Sequence, residues 1–272
     1  MIYDSNSITL SGEWYFSWGG VPFHFASSAD VLERVEILLE NKCRVNMQDN
    51  DDRTPLLLAA KYNHEDSVIS LLKEEQDVNL MDYDGKTALM YCAENGNVKA
   101  VKELLRNLAE KEIKDPYGNT ALLLAAEKDH LDVVQILINV RAKVNVENEY
   151  GETALMKAVE NKNFQMVDEL IKAGAKLNVQ NYNGETALLK AVAGKSKFLM
   201  RKLLDAGANM NIKDIKGQMP MSLAIKINEP ELVEELERYI EKDEPKNFAI
   251  RKLRNQTPLC MVAQASLRQR AG

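Results

Sequence analysis

The side chains in this chain that could carry out chemistry are three histidines and three cysteines. They are His24, His64, His130, Cys43, Cys92 and Cys260. Histidine could serve as a general base or a metal ligand, and cysteine as a nucleophile or a zinc ligand. The cysteines are widely spaced, form no CxxC pair and have no histidine at metal-ligand spacing. The sequence therefore predicts no metal site and no catalytic residue, and it favours free thiols in a reducing compartment.

Other classes of chemistry also lack support. Gly151 and its counterparts never form GxGxxG or GxxxxGK, so no phosphate-binding loop is predicted. The net charge of -6 and the pI near 5.3 argue against a nucleic-acid partner. No apolar run reaches the roughly 18 residues of a membrane span, and Asp4 stands where a signal peptide would be basic. We expect no cofactor, no nucleic acid, no membrane contact, and a cytoplasmic or nuclear location.

The elements that carry these residues recur at a fixed interval of 33 residues. The recurring phrase, here called the repeat marker, reads Gly-Glu-Thr-Ala-Leu at Gly151–Leu155. Edited copies of the repeat marker begin at Gly19, Asp52, Gly85, Gly118, Gly184 and Gly217. Such a period is typical of stacked repeats, in which each unit buries its apolar face against its neighbours.

Each repeat marker is followed by two helical patterns. The marker threonine is a predicted cap for the first helix. The second helix carries an apolar stripe, as at Val134, Leu137 and Ile138. His64 and His130 share the position between the two helices, which predicts a structural role for them, and Cys92 replaces an alanine of a first helix, which predicts burial.

A polar turn precedes each repeat marker, as in Asn178-Val179-Gln180-Asn181. The Asp or Asn side chain is expected to accept a backbone hydrogen bond two residues on, and the marker glycine is expected to supply a positive φ. These turns are called the tips below.

A repeat of this length, with a turn and two helices, resembles the ankyrin repeat. Thr153-Ala154-Leu155, Ala158, Val167, Leu170-Ile171 and Ala173-Gly174-Ala175 follow the pattern of that family in order. The resemblance implies an all-α helix-turn-helix repeat solenoid with β-turn or hairpin tips and a concave binding face. It also implies a domain of repeats over 19–240, with repeats starting near 16, 49, 82, 115, 148, 181 and 214.

The two ends of the chain depart from the repeat. Residues 1–18 contain Trp14 and Trp18 and are predicted to form an aromatic extension or cap over the end of the stack. Residues 241–272 are interpreted as a spacer and a degenerate or truncated eighth repeat, since Gln256-Thr257-Pro258-Leu259 arrives late.

Binding residues are expected where the period leaves the sequence free to vary, because the resemblance places tips and first helices on the concave face. The candidates are Tyr83, Lys86, Tyr117, Asn119, Glu149, Tyr150, Glu152, Glu160, Tyr182 and Glu185. The tyrosines offer large contact area with a polar group, and the glutamates favour a partner segment that contains Lys or Arg. Replacing Tyr150 by Ala and Glu152 by Lys is expected to weaken binding without lowering stability.

The predicted function is a non-catalytic, monomeric scaffold or adaptor that binds another protein. One alternative is a targeting or sensing arm of a larger enzyme, such as a kinase, a ubiquitin ligase subunit or a nuclease. Two others are a structural spacer and a bacterial effector that mimics host proteins.

Overall fold

Helices occur in pairs along the chain, one pair for each repeat marker. The computed structural model describes residues 22–29 and 31–242, with side chains through Ile240, and the backbone of residues 7–8 and 14–15. The chain divides into two compact units, unit 1 (Met1–Glu149) and unit 2 (Tyr150–Gly272).

Unit 1 contains four helix pairs among its described residues. They are α1 (Pro22–Ser28), α2 (Leu32–Glu40), α3 (Pro55–Lys61), α4 (Glu65–Leu71), α5 (Ala88–Glu94), α6 (Val98–Arg106), α7 (Ala121–Glu127) and α8 (Leu131–Asn139). Odd-numbered helices are the first helices of their repeats and pack on one another in order, and the even-numbered second helices do the same. Unit 1 is therefore a stack of helix pairs.

Unit 2 has the same construction with three helix pairs among its described residues. They are α9 (Ala154–Glu160), α10 (Phe164–Lys172), α11 (Ala187–Ala193), α12 (Lys197–Asp205), α13 (Pro220–Lys226) and α14 (Pro230–Lys242). Helix α11 packs between α9 and α13, and α12 packs on α14. The predicted all-α repeat fold is thus confirmed in both units.

Extended structure is minor in the described part of the chain. Two-residue strands β1 (Ser7–Ile8) and β2 (Trp14–Tyr15) pair antiparallel, and one isolated bridge joins Met81 to Thr87 across a tip. The predicted aromatic cap over 1–18 and the predicted terminal segment over 241–272 have their side chains outside the described residues. The repeat boundaries likewise remain predictions.

First helices begin at the threonine of the repeat marker, as predicted. Thr54 Oγ1 accepts the Leu57 N–H at 3.2 Å, and Thr186 Oγ1 accepts the Leu189 N–H at 3.3 Å. The same bond occurs at Thr87, Thr120 and Thr153. Each hydroxyl thereby satisfies a backbone donor that the first helical turn leaves unpaired.

Second helices supply the core through their apolar stripe. Val134 and Leu137 of α8 are fully buried, as are Val167 and Leu170 of α10. The third position of the stripe is buried at Leu72 and Leu204, as predicted, but Ile138 and its equivalents Leu105 and Ile171 are only partly buried. In these three second helices the apolar stripe is therefore narrower than the spacing predicts, and its edge lies at the surface.

The histidines link neighbouring repeats in unit 1. His64 Nε2 lies 3.1 Å from the Ser28 carbonyl oxygen, and His130 Nε2 lies 2.9 Å from the Glu94 carbonyl oxygen. The ring N–H of each donates to a first helix of the preceding repeat, which agrees with the structural role predicted from the period. His24 is buried, and burial lowers the pKa of its imidazole.

Candidate protein-interaction surface

The predicted tyrosines lie on the tips and point out of the stacks. In unit 1, the exposed fraction of Tyr83 is 82% and Tyr117 is also exposed. In unit 2, the exposed fraction of Tyr182 is 74% and Tyr150 is also exposed. Each unit thus presents a pair of large aromatic side chains that contribute little to its core.

Hydrogen bonds within the tips order the backbone that carries these side chains. Asp115 Oδ1 accepts the N–H groups of Tyr117 at 2.9 Å and Asn119 at 2.8 Å. In unit 2, Asn181 Oδ1 accepts the N–H groups of Asn183 at 3.0 Å and Glu185 at 2.8 Å. The buried Asp or Asn therefore folds the turn around itself, as the tip sequences predict.

Successive tips within a unit are joined by backbone hydrogen bonds. In unit 1, the Tyr83 N–H donates to the Asp51 carbonyl at 2.9 Å, and the Glu149 N–H donates to the Tyr117 carbonyl at 2.8 Å. In unit 2, the Tyr182 N–H donates to the Tyr150 carbonyl at 3.0 Å. The tyrosines consequently sit on tips that neighbouring repeats hold in place.

Asn119 does not belong to the exposed surface, which corrects its place among the candidate contact residues. Its side chain is buried, its Nδ2 donates to Asp115 Oδ2 at 3.0 Å, and its Oδ1 accepts from Asn148 Nδ2 at 3.2 Å. Both amide ends are occupied in unit 1, so Asn119 supports the tip and offers no side-chain surface to a partner.

In unit 2, the predicted acidic residues form a charge cluster with two lysines. This unit 2 ion-pair cluster consists of Glu152, Lys157, Glu160, Glu185 and Lys190. Lys190 Nζ lies 2.5 Å from Glu160, 3.2 Å from Glu152 and 3.6 Å from Glu185. Lys157 pairs with Glu152 and lies 3.8 Å from Glu160. The carboxylates are therefore largely neutralised by cations of their own unit.

The cluster is partly buried, and both burial and ion pairing shift the pKa values of Glu152 and Lys190. Burial disfavours the charged form of Glu152, but the ion pairs with Lys157 and Lys190 outweigh it and lower its pKa below the ordinary 4.5. Burial likewise opposes the charge of Lys190, yet its bonds to Glu160 and Glu152 raise its pKa. Replacing Glu152 by Lys would add a third amine here, so we now expect that variant to lose stability.

Glu152→Gln is expected to destabilise the protein at neutral pH and to lose that effect in acid. Since the folded-state pKa of Glu152 lies below 4.5, its ionised form stabilises the fold above that pH, and the contribution disappears as pH falls through the folded-state pKa. Urea unfolding at a series of pH values should show the stability gap between wild type and E152Q narrowing below pH 4.5.

The matched control is Glu149→Gln, an exposed carboxylate of unit 1. This exposed substitution should change stability by less than about 0.5 kcal/mol at neutral pH. A wild-type to E152Q gap that stays constant from neutral to acidic pH would contradict the proposed ion-pair role.

Unit 1 has a comparable polar cluster around Tyr91. The Tyr91 hydroxyl donates to Asp82 Oδ2 at 2.5 Å, and Lys86 Nζ lies 2.5 Å from Glu94 Oε2. Lys61 and Lys86 each place Nζ 5.3 Å from the Tyr91 ring centroid, within cation–π distance. Burial and the bond to Asp82 raise the pKa of Tyr91. Lys86, a predicted contact residue, is thus also engaged within its unit.

The predicted contact residues do not include Lys157, Lys190 and Tyr91, although the sequence carries a signal for them. They hold the fourth position of their first helices, where Leu58 and Leu124 stand in other repeats. A polar residue at a leucine position of a repeat indicates a local polar partner, and here the partners are Glu152, Glu160, Glu185 and Asp82.

The two cysteines in the described part of the chain lie in different environments. Cys92 is buried, as predicted, and burial raises the pKa of its thiol. Cys43 is an exposed free thiol. Between residues 22 and 240, with the gap at residue 30, side chains of His, Cys, Asp and Glu form no group that could hold a metal ion. Among the helices described, none has the length and apolarity needed to cross a membrane.

Comparisons with known proteins agree with this architecture. A family profile described as ankyrin repeats (3 copies) matches residues 23–115, 71–148, 96–181, 122–214 and 158–246. One similar solved structure is described as "Crystal structure of the ankyrin repeat domain of Bcl-3: a unique member of the IkappaB protein family". It is 25% identical with a TM-score of 0.69, over 80% of this chain and 99% of that chain. No curated protein matches the chain.

Proposed function

Since the chain belongs to the ankyrin-repeat family, we propose that it is a non-catalytic module that binds another protein through its tips and first helices. Ankyrin-repeat chains are interaction modules, and the similar solved structure is itself an ankyrin-repeat domain. The tyrosines on the tips are the observation that carries the proposal for this chain.

These tyrosines fit a contact role on physical grounds. Tyr83 and Tyr117 in unit 1, and Tyr150 and Tyr182 in unit 2, are exposed on tips that backbone hydrogen bonds immobilise. Binding to an ordered surface loses little conformational entropy, and tyrosine combines a large apolar ring with a hydroxyl that can bond a partner. Tyrosine is accordingly frequent among residues that dominate binding energies.

The exposure of the acidic residues decides which of them could contact a basic side chain of a partner. In unit 2, the side chains of Glu160 and Glu185 keep exposed fractions of 38% and 36%, whereas that of Glu152 is 14% exposed. A Lys or Arg of the partner would therefore meet Glu160 and Glu185 and compete there with Lys190. In unit 1, Glu149 is exposed and offers a further carboxylate.

The broader biological role follows from the same premise. The chain would act as a monomeric scaffold or adaptor in the cytoplasm or nucleus. The free thiols of Cys43 and Cys92 support a reducing compartment.

The double variant Tyr150→Ala/Tyr182→Ala is expected to weaken partner binding by about tenfold or more. Both side chains are exposed, so the free energy of unfolding should change by no more than about 0.5 kcal/mol per site. Proximity labelling with the intact chain identifies bound proteins. Titration of one identified partner against wild type and against the variant then measures the loss of affinity.

The matched control is Phe198→Ala, which removes an exposed aromatic ring from second helix α12 of the same unit. It should retain every interaction that the tyrosine variant loses. An unchanged set of labelled proteins in the tyrosine variant would exclude the tips of unit 2 as the binding surface.

A further inference from the structure

The last helix pair described, α13 and α14, exposes apolar side chains at positions that the other repeats of unit 2 bury. Ile225 of α13 is partly exposed, whereas Val159 and Val192 at the same repeat position have exposed fractions of 2% and 0%. Val233 of α14 is also partly exposed, whereas Val167 at its position is fully buried. Helix α13 packs on α11 and α14 packs on α12, so the added exposure lies on the side where a following repeat would pack. The partly exposed residues Ser222, Leu223, Ile225 and Val233 are called the end face of unit 2 below.

A sequence that fits the end face follows α14, outside the described residues. Thr257-Pro258-Leu259 repeats the threonine, first-turn proline and leucine with which α3 begins at Thr54. The residues over 260–264 then read Cys-Met-Val-Ala-Gln, where α3 reads Leu-Leu-Ala-Ala-Lys. The sequence thus predicts a further first helix over 258–264.

The residues before this helix match the tip of the preceding repeat. Residues 250–256 read Ile-Arg-Lys-Leu-Arg-Asn-Gln, and residues 212–218 read Ile-Lys-Asp-Ile-Lys-Gly-Gln. Asn255 stands where Gly217 has a φ of 74°, a conformation that asparagine tolerates. Lys252 departs from the pattern, because its equivalent Asp214 accepts N–H groups of its own tip. Apart from that position, the sequence over 250–264 continues the repeat.

The length of α14 accounts for the late arrival of this marker. Helix α14 has 13 residues, whereas α12 has 9. Thirteen residues, 206–218, connect α12 to the marker position of Met219, and fourteen, 243–256, connect α14 to Thr257. The four extra helical residues move the start of the connection by about 6 Å, a distance that fourteen residues easily span. The segment therefore has nearly the standard connection for reaching the first-helix position beside α13.

The charges of the segment and of α14 are opposite in sign. The cations over 245–272 are Lys246, Arg251, Lys252, Arg254, Arg268 and Arg270, and this stretch contains no Asp or Glu. Helix α14 contains five glutamates against two cations. One of these cations, Arg238, pairs with Glu234 at 2.6 Å and with Glu235 at 3.3 Å. Charge complementarity thus favours this segment as the occupant of a face that α14 borders.

The cations that α12 brings to α14 engage a carboxylate away from the end face. Lys197 lies 3.8 Å and Arg201 2.8 Å from Glu235, on the side of α14 that packs on α12. Glu237 stands one helical turn after Val233, on the end-face side. A glutamate beside the apolar end face matches a segment that combines apolar and basic residues.

We propose that residues 250–264 dock on the end face of unit 2 as the tip and first helix of a further repeat. Leu259 and Val262 would pack on α13, since Met221 and Ala224 at the corresponding places are buried in a helix that packs on α11. The cations before and after the docked helix would lie beside the glutamates of α14. The chain itself would then cover the apolar end face and keep a second molecule from binding there. This contact is separate from the tyrosines of the proposed function.

Hydrogen exchange of the intact chain tests the proposal. In wild type, the amides over 259–264 should exchange at least about tenfold more slowly than those of a free peptide with the same sequence. Ile225→Asp places a charge on the end face and should abolish this protection. Because Ile225 is partly exposed, the exchange of α11 and α12 should stay at the wild-type rates, which verifies that the stack is folded.

The matched control is Lys226→Asp, a larger change of charge at the exposed neighbouring residue of α13. It should keep the protection over 259–264. Leu259→Asp disrupts the same contact from the side of the segment and leaves every described helix unchanged in sequence. It should also abolish the protection, and it should speed the exchange of α13 while α9 remains at the wild-type rate.

Three results would overturn the proposal. The first is exchange over 259–264 at the free-peptide rate in wild type. The second is protection that persists in Ile225→Asp or Leu259→Asp. The third is protection that rises with protein concentration together with a dimer in light scattering, since a second copy would then supply the segment. The Tyr150→Ala/Tyr182→Ala variant should keep wild-type protection, so failure of the tip surface and failure of this contact are distinguishable.

Discussion

Leu137→Ala is expected to lower the free energy of unfolding by about 2 to 5 kcal/mol, the range measured when a fully buried leucine is truncated. Leu137 has an exposed fraction of 0% on α8 of unit 1. Its removal leaves a cavity between a second helix and its neighbours, and the lost contacts cannot be recovered unless the stack collapses around it. Urea unfolding followed by far-ultraviolet circular dichroism, with linear extrapolation to water, measures the loss.

The control for this prediction is Val140→Ala at the end of the same helix. Val140 is exposed, so its truncation should change stability by no more than about 0.5 kcal/mol. Equal effects of the two substitutions would show that α8 does not form the core of unit 1 in the way its burial implies.

Gly184→Ala is expected to destabilise unit 2 by about 2 to 3 kcal/mol, from a strained backbone and a lost hydrogen bond. Gly184 has a φ of 71°, and a Cβ on it would lie 2.8 Å from the Ile215 nitrogen and 2.9 Å from the Asp214 Cα. Both obstacles are backbone atoms of the next tip. That tip must move, and the bond from the Ile215 N–H to the Asn183 carbonyl, now 3.0 Å, is then lost.

Gly217→Ala provides a close comparison, because Gly217 holds the same place in the next repeat marker. Its φ is 74°, but no described residue lies within 4 Å of the added Cβ. Only the backbone strain remains, with an expected cost of about 1 to 2 kcal/mol. In thermal unfolding, the melting temperature of Gly184→Ala should therefore be lower than that of Gly217→Ala. The reverse order would show that contact between neighbouring tips does not limit this position.

The fold could be predicted from the sequence because its determinants repeat. Thr186 caps α11 and Leu137 is buried in α8, as their places in the period indicate. The same residue type recurs at these positions in successive repeats, so the structural role of one copy could be inferred from the others. The partial exposure of Ile138 was not evident, because an apolar residue at the edge of a stripe has the same sequence signal as one at its centre.

The candidate surface was less predictable for a physical reason. Exposure of Tyr83 and Tyr182 follows from backbone position alone, and the structure shows it. The partners of Glu152 depend on where long side chains reach, and Lys190 comes from a different repeat. Asn119 likewise stands beside exposed residues in sequence, yet its amide turns inward to Asp115. Spacing fixes which backbone segments are neighbours, but rotamers and charge pairing decide which side chains remain accessible.

The order of the repeats is itself constrained by one substitution in the tips. In unit 1, Pro116 occupies the place from which Tyr83 and Glu149 donate their N–H to a preceding tip, and proline has no N–H to donate. Its ring packs instead against Gly85, where a Cβ would lie 2.6 Å from Pro116 Cδ. The repeat that carries Pro116 can therefore follow only a repeat with glycine at the start of its marker.

Asp52 holds the marker position in the preceding repeat, with a φ of 58° and a Cβ already present. A shuffled chain that placed the Pro116 repeat directly after the Asp52 repeat would force the proline ring onto that Cβ. The repeats of this protein share a period, but they are not interchangeable modules. The junction before the Pro116 repeat is specific, and designs that permute the repeats must keep a marker glycine in front of it.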